Sequence, residues 1–292
     1  ELARATLRRM GMQVSLVDTS DEKQIEKAVT KDTKMLWIET PCNPIVRVTD
    51  IARASSRVKD ATNGRASVVV DSTFATPIAT KPLHLGADYV VHSLTKYISG
   101  HGDCLGGAVI ARNASDMQDV WAEAGVHYGG TMSPFNAWLT MRGASTLSLR
   151  MQQHQKNGIK VSDFLESHPK VSAVFYPGLE SHPQHEIARR QMDNFSGMLG
   201  FRLSSEFKGK EAAEKMIQGL RVIKYAVSLG HHRSLIWFMP TEDLMQSSFE
   251  LDGEQLQSYK RFAGDDGIFR LSLGLEDDED IVEDLQSVLD DL

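Results

Sequence analysis

The sequence predicts an α/β protein: a mostly parallel sheet domain over residues 1–148 and a smaller C-terminal α/β domain over residues 149–292. Three observations carry this expectation. Short apolar runs, Met35–Ile38 (MLWI), Ser67–Val70 (SVVV) and Asp88–Val91 (DYVV), each stop abruptly at polar residues, as the interior strands of a parallel sheet do. Helical segments alternate with these strands. Two consecutive helical patterns, from Phe135 to about Ser167, then separate this alternation from a second, shorter one.

Taken in order, Glu1–Met10 (ELARATLRRM) reads as the end of a helix already under way, so the chain is expected to be a piece of a longer one. Gln13–Val17 alternates and is β-rich, which predicts a strand. Thr19-Ser20-Asp21 supplies a polar cap for a helix over Glu22–Val29. Met35–Ile38 runs into Glu39-Thr40-Pro41-Cys42-Asn43-Pro44, a loop stiffened by two prolines. Thr49 and Asp50 cap a helix reaching Lys59. After the strands at 67–70 and 88–91 come a strand at Gly106–Ala111 and a helix at Ala114–Ala124. Ser133 and Pro134 open the helix Phe135–Leu147. The second half holds strands at Val171–Tyr176 and Met198–Leu203 and a helix at Lys208–Leu220. A further strand covers the arginine of Phe269–Gly274, and Asp278–Leu292 is an acidic amphipathic helix expected to be a solvated face.

Composition narrows the function. A net charge of −7 offers no basic footprint for nucleic acid. No apolar run approaches membrane-spanning length and no signal-peptide pattern opens the sequence, so a cytoplasmic protein is expected. The two cysteines, Cys42 and Cys104, stand far apart, which excludes a disulfide framework and suits a reducing compartment.

The chemistry concentrates between Ser67 and Gly107. In open α/β sheets ligands bind beyond the carboxyl ends of the strands. Asp71 ends one strand, and His92-Ser93-Leu94-Thr95-Lys96 ends another, so Asp71 and Lys96 are expected to face one crevice. Either residue alone reads most simply as a turn aspartate or a solvated lysine. Together they suit pyridoxal phosphate: a lysine forms a Schiff base with the aldehyde, and an acid holds the pyridine nitrogen protonated. The Ser93 and Thr95 hydroxyls can serve the phosphate.

VDSTFATP followed by GADYVVHSLTKYISGHGD resembles the signature of the Cys/Met-metabolism family of pyridoxal-phosphate enzymes, and the similarity extends over nearly all 292 residues. The resemblance implies an aspartate-aminotransferase-like fold, known as fold type I. It makes Lys96 the catalytic, cofactor-bearing lysine, and Asp71 the partner of the pyridine nitrogen. Ser93, Leu94 and Thr95 complete the cofactor-binding segment. Asn43 of E-T-P-C-N-P would approach the cofactor's phenolic oxygen; by itself it reads equally well as a turn residue. The resemblance also implies a homotetramer built from dimers. Family members carry a further N-terminal segment with a phosphate cradle and a stacking tyrosine that this sequence does not contain.

Arg270 sits between apolar neighbours inside a strand. A half-buried arginine needs an anion, and without further context an internal salt bridge is the simpler account. The stretch RLSLGLED resembles the family segment whose arginine grips the substrate α-carboxylate. Arg270, with Ser228 of S-L-G, is therefore expected on the substrate side. Gly100–Gly107 lacks the third glycine of a dinucleotide fingerprint, Leu105 standing in its place. Its glycines read as backbone packed beneath the lysine. His182, His185 and Glu186 suggest a zinc helix but match neither zinc signature, so no metal is expected and surface positions are. His231 and His232 read as surface or site-rim residues.

The expected reaction is γ-elimination from a sulfur amino acid, L-methionine or L-cystathionine, giving a thiol, ammonia and 2-oxobutanoate, with a lean toward the methionine γ-lyase branch. The alternatives are γ-replacement, as in cystathionine γ-synthase or an O-acylhomoserine sulfhydrylase, and an inactive truncated subunit. The family's histidine- and methionine-bearing motif after S-L-G is replaced here by SLGHHRSLIWFMPTEDLMQSSF, which leaves the leaving-group preference open.

Overall fold

The computed structural model describes residues 2–247 and 249–292. Helical turns at Leu2–Leu7 lead to α1 (Glu22–Ala28), β1 (Met35–Glu39), α2 (Ile51–Thr62), β2 (Ser67–Asp71) and the short α3 (Thr76–Ala79). Then come β3 (Tyr89–Ser93), β4 (Gly107–Ala111), α4 (Ala114–Val120), α5 (Pro134–Ala144) and α6 (Leu147–Ser167). The second half runs β5 (Val171–Phe175), α7 (His185–Gln191), β6 (Met198–Leu203), α8 (Gly209–Gly219), β7 (Lys224–Tyr225) and β8 (Leu235–Pro240). It closes with α9 (Thr241–Met245), α10 (Gly253–Ala263), β9 (Gly267–Ser272) and α11 (Asp278–Asp290).

Two sheets result. The first has the order β1-β2-β3-β4, with β1, β2 and β3 parallel and β4 antiparallel to β3. The second has the order β5-β6-β9-β8-β7 and is antiparallel except for the β7–β8 pair. Leu36 and Ile38 of β1 and Val68 and Val70 of β2 pack on Ile25 of α1 and on Ile51 and Val58 of α2. Local signals fix these helix starts: the Asp21 and Asp50 side chains accept from the backbone N–H of Lys23 and Arg53, and Ser133 accepts from Asn136 ahead of Pro134.

The expected strand at Gln13–Val17 does not form. Val14 and Leu16 turn partly inward, but their carbonyls accept from side chains, Arg8 Nη2 and Gln255 Nε2, rather than from a neighbouring strand. Alternation without a partner ladder leaves extended chain. The sequence reading also missed β8, α9 and α10, where no clean period separates the elements.

Two further expectations are corrected. The terminal helix α11 is no mere solvated face: Ile281, Leu285 and Leu289 enter the core shared with Val161 and Leu165 of α6 and with Phe201, Ile236 and Phe269 of the second sheet. Its buried Asp284 accepts from the N–H groups of Arg221, Val222 and Ile223 at 2.8, 3.0 and 2.8 Å. His182 is not a surface residue but 3% exposed, with Nε2 3.2 Å from the Val46 carbonyl oxygen. Among the described residues no helix is long and apolar enough to cross a membrane.

Asp284→Ala is expected to lower stability by about 2–3 kcal/mol, because three N–H groups, that of Ile223 buried, lose their shared carboxylate acceptor, and a denaturant titration reads that loss. Burial pushes the His154 and His182 imidazoles down from the ordinary 6.5 to about 4. Between those values the unfolded chain takes up protons that the fold refuses, so stability is full above about 6.5 and falls as pH drops toward 4. Melting temperatures across this window check the slope, which His182→Gln makes shallower.

Candidate active site

The parallel register of β2 with β3, Asp71 opposite Val91, brings Asp71 and Ser93 to the same sheet edge. The loops leaving the two strands are tied together there. Ser72 N–H donates to the Val91 carbonyl at 3.0 Å, and Ser93 N–H to Thr73 Oγ1 at 2.9 Å. The Asp71 carboxylate accepts from Thr73 N–H at 3.0 Å. The turn between β3 and β4 carries Lys96, half-buried, with Lys96 N–H donating to the Ser93 carbonyl.

Four of the residues singled out in the sequence form one chain of contacts. Lys96 Nζ donates to Ser228 Oγ at 3.1 Å. Arg270 Nη2 donates to the Ser228 carbonyl at 2.9 Å, and Arg270 Nη1 to Asn43 Oδ1 at 2.8 Å. Asn43, Lys96, Ser228 and Arg270 lie far apart in the sequence and come from both sheets. Asp71, Ser93, Leu94 and Thr95 stand at the same edge without joining that chain. Thr95 Oγ1 accepts from Gly106 N–H at 3.1 Å, and Leu94 N–H donates to the Gly106 carbonyl, so this pair braces the glycine loop. Asn43 meets the arginine directly.

Backbone strain marks the same place. Ser228 has φ 88° and Val46, three residues beyond Asn43, has φ 56°. The left-handed region is unfavourable for any side chain and most of all for a β-branched one. Gly230 (φ +68°) lets the S-L-G loop lie on the lysine loop, since a Cβ there would meet the Tyr97 nitrogen at 2.5 Å.

Electrostatics separates Arg270 from an ordinary structural arginine. It is 7% exposed, and among the described residues no carboxylate reaches it within salt-bridge distance. Its partners are two neutral oxygens. The internal salt bridge considered from the sequence is therefore absent among the described residues, and the buried charge calls for an incoming anion. Burial, and then the Arg270 charge, lower the Lys96 pKa, which favours a free amine.

Glu39, Thr73 and His92 were not anticipated. Glu39 accepts from Asn43 N–H at 2.8 Å. Desolvation pushes its carboxyl up to about 7, with the Asn43 N–H opposing and Asp71 adding repulsion, but the residue is open to solvent, and screening reduces that push. His92 is buried with Nδ1 unpartnered, and its pKa is lowered by burial. Only the D-x-T spacing after β2, an aspartate capping its own turn, could have signalled Thr73.

An amine of lowered pKa, a carboxylate at the neighbouring strand end and a desolvated guanidinium with no carboxylate partner among the described residues are the groups that an aldehyde cofactor and an anionic small molecule require. The donor set fits pyridoxal phosphate. Comparison with known proteins narrows the class. The family model described as "Cys/Met metabolism PLP-dependent enzyme" matches residues 1–290. L-methionine gamma-lyase of Fusobacterium nucleatum subsp. polymorphum is 41% identical over 286 residues, 97% of this chain and 69% of that protein. Cystathionine gamma-synthase of Mycobacterium bovis is 41% identical over 96% of this chain and 68% of its own length. The crystal structure of cystathionine gamma-lyase from Lactobacillus plantarum complexed with L-serine superposes with a TM-score of 0.87 at 33% identity, covering 99% of this chain and 72% of that one.

The chain belongs to the Cys/Met-metabolism family of PLP-dependent enzymes. Its fold is fold type I, its cofactor is pyridoxal phosphate, and its substrates are small molecules.

An amine-selective acylating reagent, read by peptide mass spectrometry, is expected to modify Lys96 of the cofactor-free protein at lower pH than free Nα-acetyl-lysine added as a reference. Arg270→Met moves the Lys96 profile upward. Coincidence of the Lys96 and reference profiles would contradict the electrostatic account.

Proposed function

We propose that this enzyme catalyses γ-elimination from a sulfur amino acid, L-methionine or L-cystathionine, releasing a thiol, ammonia and 2-oxobutanoate. The observation that carries the reading is Arg270, a buried guanidinium that among the described residues is met only by the carbonyl oxygens of Asn43 and Ser228. A substrate α-carboxylate supplies the anion this group lacks, in the bidentate geometry that a guanidinium favours.

The residues divide the work. Arg270 binds the carboxylate and fixes the α-carbon near Lys96, which is joined to the same Ser228. Lys96 Nζ, its pKa lowered, takes the α-proton and returns protons later in the cycle. Ser228 orients both groups, its Oγ toward Lys96 and its carbonyl toward Arg270. Asp71 would hold the ring nitrogen of bound cofactor protonated, Ser93, Leu94 and Thr95 would form its binding segment, and Asn43 would serve its phenolic oxygen. Bound pyridoxal phosphate supplies the electron sink that stabilises negative charge at the substrate carbon.

We also carry the division into residues 1–148 and 149–292 as a proposal, with cofactor chemistry in the first part and Ser228 and Arg270 in the second. Assembly into a homotetramer is a proposal too, supported by the exposed Phe135, Trp138 and Met141 on α5.

The reading is tested by measuring 2-oxobutanoate release from L-methionine and L-cystathionine in the presence of pyridoxal phosphate. Release from methionine is the expected outcome, with at least a hundredfold lower kcat/KM in Arg270→Met, about 3 kcal/mol of transition-state binding. Release from cystathionine alone keeps the chemistry and changes the substrate. No release from either, with condensation of an activated homoserine and a thiol, replaces elimination by γ-replacement.

A further inference from the structure

Helix α6 carries three buried polar residues that the proposed mechanism does not use. Arg150, His154 and Asn157 are 6%, 0% and 0% exposed, and at positions i, i+4 and i+7 they share one helix face. Among the described residues none of them bonds to a charged partner. All three reach backbone.

The Arg150 end grips the lysine loop. Arg150 Nη1 donates to the Tyr97 carbonyl at 2.6 Å, Nη2 to the Ile98 and Gly143 carbonyls at 3.1 and 2.7 Å, and Nε to Thr146 Oγ1 at 3.0 Å. Tyr97 directly follows Lys96. Gly100 (φ +73°) makes the fit possible, because a Cβ there would lie 2.2 Å from Arg150 Nη1. The other two residues grip the exit of β9. His154 Nδ1 donates to the Leu273 carbonyl at 2.8 Å, and Asn157 Nδ2 to the Gly274 and Glu276 carbonyls at 3.0 and 2.9 Å. Leu273 lies three residues beyond Arg270. The His154 ring also meets the edge of Tyr97, centroids 5.0 Å apart.

We propose that Arg150, His154 and Asn157 are positioning residues: their ladder on α6 sets where the Lys96 amine stands relative to the Arg270 guanidinium. The inference rests on the roles given above to Lys96 and Arg270. A helix is the stiffest ruler the chain has, and seven residues of it span roughly 10 Å. Lys96 and Arg270 sit on different sheets, in a turn and near a strand end, and neither sheet by itself relates one to the other. Amines and guanidinium groups misplaced by an ångström lose much of their catalytic value. The ladder also satisfies six carbonyls with donors fixed to one rigid element, a larger outlay of buried polar groups than helix packing needs.

The two ends make separable demands. Loosening the Arg150 end frees the lysine turn and alters Lys96. Loosening the Asn157 end frees the β9 exit and alters carboxylate binding at Arg270. The test compares Arg150→Gln and Asn157→Ala with Val161→Ala, a buried apolar change on the same helix whose side chain makes no hydrogen bond to either segment. Val161→Ala reports what plain destabilisation of α6 does.

In Arg150→Gln the Lys96 acylation profile is expected to move upward as the loosened turn gains water, and kcat to fall about tenfold, with KM little changed. In Asn157→Ala the expected change is a KM raised about tenfold. Val161→Ala is expected to lower the melting temperature while leaving the Lys96 profile and KM at wild-type values. Arg150→Lys, which keeps one donor, restores part of kcat, and Asn157→Ser serves if the alanine variant does not fold. Ladder variants that melt early yet match Val161→Ala in both the Lys96 profile and KM overturn the proposal. The underlying site is tested separately by the visible cofactor absorbance, which Lys96→Ala abolishes if Lys96 is the cofactor lysine.

Discussion

Everything at this site is arranged around one uncompensated charge. Arg270 is buried within the second sheet, flanked in register by Gly200 and Trp237, and among the described residues donates only to neutral oxygens. Desolvating a guanidinium without a carboxylate is costly, and the fold tolerates it because two carbonyl oxygens are held at hydrogen-bond distance. One belongs to Asn43, at the end of a loop from the first sheet, the other to Ser228, in a loop of the second. The charge is satisfied only where the two sheets meet, so the site depends on the whole tertiary arrangement.

That dependence accounts for the strain. Ser228 and Val46 both occupy the left-handed region although neither is glycine. Each lies in a loop that delivers an acceptor, Ser228 its own carbonyl and Val46 the segment after Asn43. Strained conformations persist where the surroundings over-determine them, and here they do: Val46 is fully buried under the Nε2 contact of His182, and Gly230 is wedged against Tyr97 and bonded to Ser272 Oγ. The Arg270 charge in turn acts on the amine joined to Ser228, so the residue proposed to take the substrate carboxylate also adds to the lowering of the Lys96 pKa that burial begins.

Apolar runs at 35–38, 67–70 and 88–91 determined three parallel strands, although only β2 is buried along its length; β1, at the sheet's edge, alternates, with Met35 and Trp37 exposed. Cap residues Asp21, Asp50 and Ser133 determined helix starts, being local hydrogen bonds. The Gln13–Val17 alternation misled because alternation reports which residues turn inward and not whether a partner strand is present. His182 misled because a buried imidazole bonded to a backbone carbonyl has the same sequence surroundings as an exposed one.

The sequence by itself determined the chemistry available to this protein: an acid and a lysine at neighbouring strand ends, an arginine inside a strand and the loops that bear them. These are properties of short segments, set by side-chain type and by the two-residue and 3.6-residue periods of the backbone. Only the tertiary structure decided that Arg270 has no carboxylate partner among the described residues, that Asn43 and Ser228 share it, and that Arg150, His154 and Asn157 reach backbone segments more than forty residues away. Those facts are distances between residues remote in the chain, and such distances are set by the packing of sheets and helices, which no local pattern encodes.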